Sequence, residues 1–243
     1  MKKEIKVNNN TGVLDIKGSF SEALLTLNEK PIQFTWFAEV GTTWRYHLAK
    51  GLIKSPFLRK AHIETILSDG ILNEEQVNAV IRYYKSFLKT GYYSFGTYQL
   101  NRHTGFLPTT SSAYTASDTY GGIVGIIGTQ ININTATVDS YKEQILKGKR
   151  PCLILFRNEH SHNQFVLDGH HKFLAYKGTK IKPHALIITK LNPKALSKED
   201  ALQALKKMKS TNVAYHNALK EEKKNPSYDL KLHLEEQYED FLK

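Results

Sequence analysis

The apolar run Phe165-Val166-Leu167 ends at Asp168-Gly169-His170-His171-Lys172, and an apolar helical spacing resumes at Phe173-Leu174-Ala175-Tyr176. A strand that hands over to a helix within two residues has few ways to bury both elements. The helix must fold back on the sheet that the strand belongs to, which requires a layered αβ architecture. Gly169 lets the backbone turn sharply and approach a ligand at no steric cost. The first-turn amides of the new helix lack intrahelical partners, and the helix dipole adds positive potential there. With Lys172 and two imidazoles around that terminus, the turn reads as a phosphate or carboxylate site.

The neighbouring segments supply the rest of such a module. Gly122-Ile123-Val124-Gly125-Ile126-Ile127-Gly128 reads as a buried strand continuing in extended form through Ile133. Its glycines do not make the G-x-G-x-x-G spacing of a dinucleotide fold. Thr137 to Leu146 has helical spacing, with Val138, Tyr141 and Ile145 on one side and Gly148 as the stop. Strands are expected at Pro151–Phe156, Gln164–Leu167 and His184–Thr189.

Taken together, strand, Asp-Gly-His-His-Lys turn and helix resemble the ParB/sulfiredoxin superfamily, in the Asp-Gly-His-His-basic form of its ParB-like putative nucleases. The helix, Gly148, Pro151 and strand before the turn agree in order. The resemblance covers residues 121–191, under a third of the chain. It implies an α+β fold with a nucleotide or phosphate site, since members include CTP-binding partition proteins, an ADP-dependent serine kinase and ATP-using sulfiredoxins. Carried over by position, Gly169, His170, His171 and Lys172 contact phosphate, and Asp168, His170 and Lys172 are the catalytic candidates. Two departures stand out. His170 occupies the place of the sulfiredoxin cysteine, which argues against that activity. Lys172 stands where many relatives have arginine, so the bidentate fork is lost.

A carboxylate beside a bound phosphate is repulsive unless something offsets it. Asp168 can share a Mg²⁺ with the phosphate, cap the helix while pointing away, or act as a base towards an acceptor hydroxyl. His160-Ser161-His162 with His170-His171 offers a metal alternative, although Asn158 to Asn163 also reads as a polar turn with exposed histidines. Cys152, next to Pro151 in an apolar strand, reads as a small buried residue before it reads as a nucleophile. Trp36 to Arg45 and Tyr92 to Arg102 mix aromatic and basic residues, and either can stack bases or simply fill core and rim.

Residues 1–120 are expected to form an N-terminal αβ region of no recognised family. Its strands are placed at Ile5–Val7, Val13–Ile16 and Ile32–Trp36, and helical spacing broken at Gly51 and Pro56 runs from Thr42 to Leu67. A cleaner helix starts at Asn73 with Gln76 in the capping-box position, buries Val77, Val80, Ile81, Tyr84 and Leu88, and stops at Gly91. Tyr92 to Tyr120, rich in Gly, Ser, Thr and Tyr, reads as an irregular lid or loop. Residues 192–243 read as helices packing on the module. The first is capped by Ser197 with Asp200 at its third position and striped by Leu202, Leu205 and Met208; a charged helix from Tyr228 to Lys243 follows Asn225-Pro226.

The formal charge of +11 favours an anionic partner, although the 34 Lys and Arg residues are spread along the chain. One cysteine rules out an internal disulfide or a multi-cysteine zinc site. No apolar run approaches a membrane span, and no apolar region follows the basic Met1-Lys2-Lys3, so a cytoplasmic location without a membrane partner is expected. The leading expectation is an enzyme using ATP, ADP or CTP with Mg²⁺ to transfer a phosphoryl group to a small-molecule or protein acceptor, or to hydrolyse the nucleotide. Lys172→Ala and Asp168→Ala are then expected to abolish activity without unfolding. The alternatives are a nucleic-acid-binding protein or nuclease, and a non-catalytic module that senses a nucleotide or binds a protein partner.

Overall fold

Three strands carry the densest apolar runs, Cys152–Asn158, Gln164–Asp168 and His184–Leu191, and they lie together near the middle of a large sheet. The computed structural model describes residues 1–204 except 9–10, 19–21, 41–42, 51–60, 69–71, 102–103, 109–113, 121–123, 131, 162, 198–199 and 202. Within them the strands are β1 (Lys2–Val7), β2 (Leu14–Gly18), β3 (Glu22–Leu27), β4 (Lys30–Val40), β5 (Thr43–Lys50), β6 (Gly91–Gln99), β7 (Gly105–Leu107), β8 (Tyr114–Tyr120), β9 (Val124–Ile127), β10 (Cys152–Asn158), β11 (Gln164–Asp168) and β12 (His184–Leu191). The helices are α1 (Ala61–Ser68), α2 (Glu74–Lys85), α3 (Thr135–Leu146) and α4 (His170–Lys177). This is a mixed α+β protein.

Two sheets organise the chain. The larger has seven strands in the order β1-β6-β12-β10-β11-β9-β7 and mixes parallel and antiparallel pairs. It draws strands from both sides of residue 120, since β1, β6 and β7 pair with the strands of residues 124–191. The smaller sheet is an antiparallel meander of five, β2-β3-β4-β5-β8. Because side chains alternate along a strand, the large sheet has two distinct faces. Tyr93, Phe95, Ile154, Phe156, Leu186 and Ile188 pack with α1, α2 and with Leu14, Ile16 and Leu25 of the small sheet. Leu153, Leu155, Ala185 and Ile187 face the other way, where Phe173 of α4 covers them. Ile145, Ala175 and Tyr176 join α3 to α4.

Helix α2 forms as its cap dictates. Asn73 Oδ1 accepts from Gln76 N at 2.9 Å and Gln76 Oε1 accepts from Asn73 N at 2.9 Å, a reciprocal capping box. Its expected stripe is buried, with Leu88 beyond its end. The helix stops at Lys85, however, and Gly91 opens a strand.

Two expectations are corrected by pairing. Among the described residues of Thr42–Leu67, helix begins at Ala61 (Ala61–Ser68), and Thr43–Lys50 is a strand held between β4 and β8. The expected loop Tyr92–Tyr120 contains β6, β7 and β8, and β6 is an interior strand of the large sheet. Tyr and Thr favour strands, and a two-sided hydrogen-bond ladder outweighs the Gly and Ser content. In the last segment Ser197 Oγ accepts from Asp200 N at 3.0 Å, the expected cap; Leu202, Leu205, Met208 and the helix placed at 228–243 lie outside the described residues.

Candidate functional site

Strand β11 ends at Asp168, and Gly169 turns the chain at φ +102°, ψ +26° into α4. That φ is unfavourable for any side-chain-bearing residue, and a Cβ at Gly169 would stand 2.7 Å from Leu153 Cδ2. Gly169, and not Asp168, occupies the N-cap. The Asp168 carboxylate is instead held by the residue one helical turn on: Lys172 Nζ donates to Asp168 Oδ2 at 2.8 Å and to the Cys152 carbonyl at 3.2 Å. Both side chains are at least nine-tenths buried. The Tyr141 ring lies 6.0 Å from the same ammonium.

The histidines are equally committed. His170 Nε2 accepts from the backbone amides of Thr129 and Gln130 at 2.8 and 3.1 Å, with Thr129 Oγ1 at 3.3 Å. Two amide donors aimed at one ring nitrogen require its lone pair, which assigns the neutral ring proton to Nδ1. His171 Nε2 accepts from Asn134 N at 3.0 Å, and Asn134 caps α3 by accepting from Thr137 N. Thr129 Oγ1 in turn donates to the Val166 carbonyl at 2.5 Å. All four side chains thus meet at one turn. There His170 and His171 tie Thr129, Gln130 and the start of α3 to α4, while Lys172 ties Asp168 to β10.

Magnesium is the metal that a phosphoryl-transfer reading implies, and the arrangement does not suit it. A divalent cation on Asp168 Oδ2 would share that oxygen with the Lys172 ammonium, and like charges at that separation repel. Among the described residues no group of three or more His, Cys, Asp or Glu side chains forms a metal cluster. The His160 side chain is 63% exposed beside Glu159, which suits the polar-turn reading, and His162 lies outside the described residues. Cys152 is buried, and burial pushes its thiol up to about 12, so it carries no thiolate at neutral pH.

A second site emerges only in three dimensions. At the end of β12 and the start of β6, a groove of about 890 Å³ opens between the two sheets. Lys17, Lys89, Lys190 and Lys194 line it, with Asp15, Glu29 and Tyr92. Lys190 of β12 pairs with Asp15 of β2 in a buried contact, and Asp15 Oδ1 also accepts from Ile16 N at 2.8 Å. Lys89 pairs with Glu29 at 3.0 Å, and Lys17 with Asp200 at 3.2 Å. Lys194 has no ionic partner among the described residues. The non-glycine residues with positive φ among those described are Asn28, Glu29 and Asn192, at 49°, 62° and 47°, and all three line this groove. Asn28 and Glu29 are the two loop residues of the β3–β4 hairpin, a tight turn that calls for positive φ at both. The sequence gives no local signal for this groove, because its lysines are separated by up to 177 positions and meet only through β2, β6 and β12.

No family model matches the chain, and no curated protein or solved structure matches it either. Among the described residues no helix is long and apolar enough to cross a membrane.

Proposed function

We propose that the protein binds a nucleotide in the groove between its two sheets. The observation that carries this reading is the convergence of Lys17, Lys89, Lys190 and Lys194 on one cavity. Three of these ammonium groups are balanced by Asp15, Glu29 and Asp200, and the charge of Lys194 remains to draw phosphate. The ion pairs fix three of the lysine heads in place, so less side-chain entropy is lost on binding. The volume lies within the range of about 300–1,000 Å³ usual for small-ligand sites.

Binding, and not phosphoryl transfer, is the activity this geometry favours. A general base must hold an available lone pair, and a phosphate ligand an available proton or charge. At the turn, the Asp168 carboxylate and the Lys172 ammonium are paired with each other, and the Nε2 lone pairs of both histidines accept from backbone amides, so neither imidazole serves as a base through Nε2. In this reading the turn builds the fold.

Calorimetric titration of the full chain with ATP, ADP, CTP and GTP, each with and without Mg²⁺, tests the proposal. Saturable binding weakened about tenfold or more by Lys194→Glu is expected, since one charge reversal near a phosphate is worth about 1–3 kcal/mol. His171→Gln should bind as the wild type does. The opposite pattern, loss in His171→Gln with none in Lys194→Glu, would move the ligand to the turn. Nucleotide turnover that Asp168→Asn abolishes would add phosphoryl transfer there.

A further inference from the structure

We infer that the part of the large sheet's face left uncovered by α4 binds single-stranded nucleic acid. Pairing register decides which side chains share this face. From Leu153, Leu155, Ala185 and Ile187, which Phe173 covers, the same face continues across β12 and β10 to Thr189 and Arg157. It then crosses β6 at Tyr92, Ser94, Gly96 and Tyr98, because Leu191, Thr189, Ile187 and Ala185 are their partners. On β1 it reaches Lys6, Glu4 and Lys2, opposite Tyr92, Ser94 and Gly96. Beyond the reach of α4, this face is basic and aromatic.

Tyr92 and Tyr98 are 51% and 44% exposed, and they are the aromatic residues among the large exposed hydrophobics of the described chain. An exposed aromatic on a strand commonly folds down onto a neighbour, and here the neighbour is a glycine. A Cβ at Gly96 would come within 2.5 Å of Tyr98 Cε2 and 2.8 Å of its hydroxyl oxygen, so the Tyr98 ring lies back across Gly96 along the strand. A ring laid down on a sheet offers its π-face outward, which is what stacking on a base requires. Lys6 Nζ sits 5.6 Å from the Tyr92 ring centroid, and Arg157 Nε is held on the face by Thr189 Oγ1 at 3.2 Å. Two carboxylates flank this stretch: Lys2 pairs with Glu4 at 2.7 Å and also feels the charge of Glu159. Lys6 and Arg157 therefore remain as positive charge beside the rings.

Six residues of strand separate the tyrosines by about 20 Å, so one ligand that uses both is a strand of several nucleotides. Rings serve as platforms only for bases that are unstacked from a partner strand, which selects single strands over duplex. Stacking on a ring uses the base and not the sugar, so DNA and RNA single strands are both ligands. The inference stands apart from the groove reading. Tyr92 borders both sites, whereas Tyr98 belongs to the sheet face alone.

Fluorescence anisotropy of labelled oligothymidylate and oligouridylate with the full chain provides the test. Both oligomers should bind saturably, with Tyr98→Ala about tenfold or more weaker and Tyr98→Phe within about twofold of wild type. Absence of binding, wild-type affinity in Tyr98→Ala, or equal affinity for a duplex of the same length would each overturn the inference. If mononucleotides fail to bind while oligonucleotide binding keeps its dependence on Tyr98, the groove reading falls alone. If mononucleotides bind in the groove and oligonucleotides do not bind at all, this inference falls alone.

Discussion

Lys172 carries its ammonium into a buried place, its side chain only 5% exposed, and its energetics follow from that. Moving an ammonium and a carboxylate out of water costs several kcal/mol per ion, which their mutual attraction and the extra bond to the Cys152 carbonyl offset. Removing one partner leaves the other charged and unmatched. Asp168→Ala should therefore lower the unfolding free energy by about 3–5 kcal/mol, and Lys172→Ala should do likewise. The sequence alone led to the expectation that both variants stay folded and only lose activity; burial of the pair reverses the first half of that. Replacing the two together, as Asp168→Leu with Lys172→Met, should recover most of the loss, because an apolar pair needs no partner. Denaturant unfolding of the three variants measures this. Single variants with wild-type midpoints would show that the pair does not exist in solution.

At the scale of elements, the segment from Thr129 to Asn134 is tied to α4 by imidazole acceptors, so its order depends on one side chain in particular. His170→Ala removes the acceptor of two backbone amides at once. Leaving a buried donor unsatisfied costs about 1–3 kcal/mol, and the segment escapes that cost by opening. Amide exchange at Thr129 and Gln130 should accelerate at least tenfold in His170→Ala, while the amides of β10 and β12 keep their protection. Equal exchange in both proteins would assign the segment's order to Thr129 and Val166 instead. Elements whose signals are local were legible beforehand. Asn73 and Gln76 announce α2 within four residues, and the change at Gly169 from strand to helical spacing announces β11 and α4. Elements whose identity is settled by distant partners were not. Thr43–Lys50 is a strand because β4 and β8 flank it, and β6 because β1 and β12 do. The sequence likewise showed which residues gather at the turn, but not that their donors and acceptors are spent on one another. That depends on segment 129–134, some 40 positions upstream.

The described residues form two sheets sharing one core, and specific polar contacts join them. Gln33 Nε2 of β4 donates to the Gly128 carbonyl at 2.7 Å, just beyond β9. Gly18 N donates to the Lys194 carbonyl at 3.3 Å. The third contact is the Asp15–Lys190 pair, which joins β2 to β12 with both residues 8% exposed. Apolar packing of Leu14, Ile16 and Leu25 on Phe95, Phe156 and Ile188 supplies the attraction between the sheets. Such packing is non-directional, so it does not by itself choose one alignment. A buried charged pair does, because any sliding of one sheet over the other strands both charges. The pair also holds Lys190 at the wall of the groove, which links the alignment of the sheets to the shape of the candidate nucleotide site. A double-mutant cycle separates these contributions. Asp15→Asn and Lys190→Met should each destabilise by about 3–5 kcal/mol, and the double variant by much less than their sum, giving a coupling of about 1–3 kcal/mol. Additive losses would show that the two residues do not interact and that packing alone sets the alignment. If the coupling is present, the double variant should fold and yet bind nucleotide more weakly than wild type, because a groove whose walls are free to slide has to be ordered by its ligand.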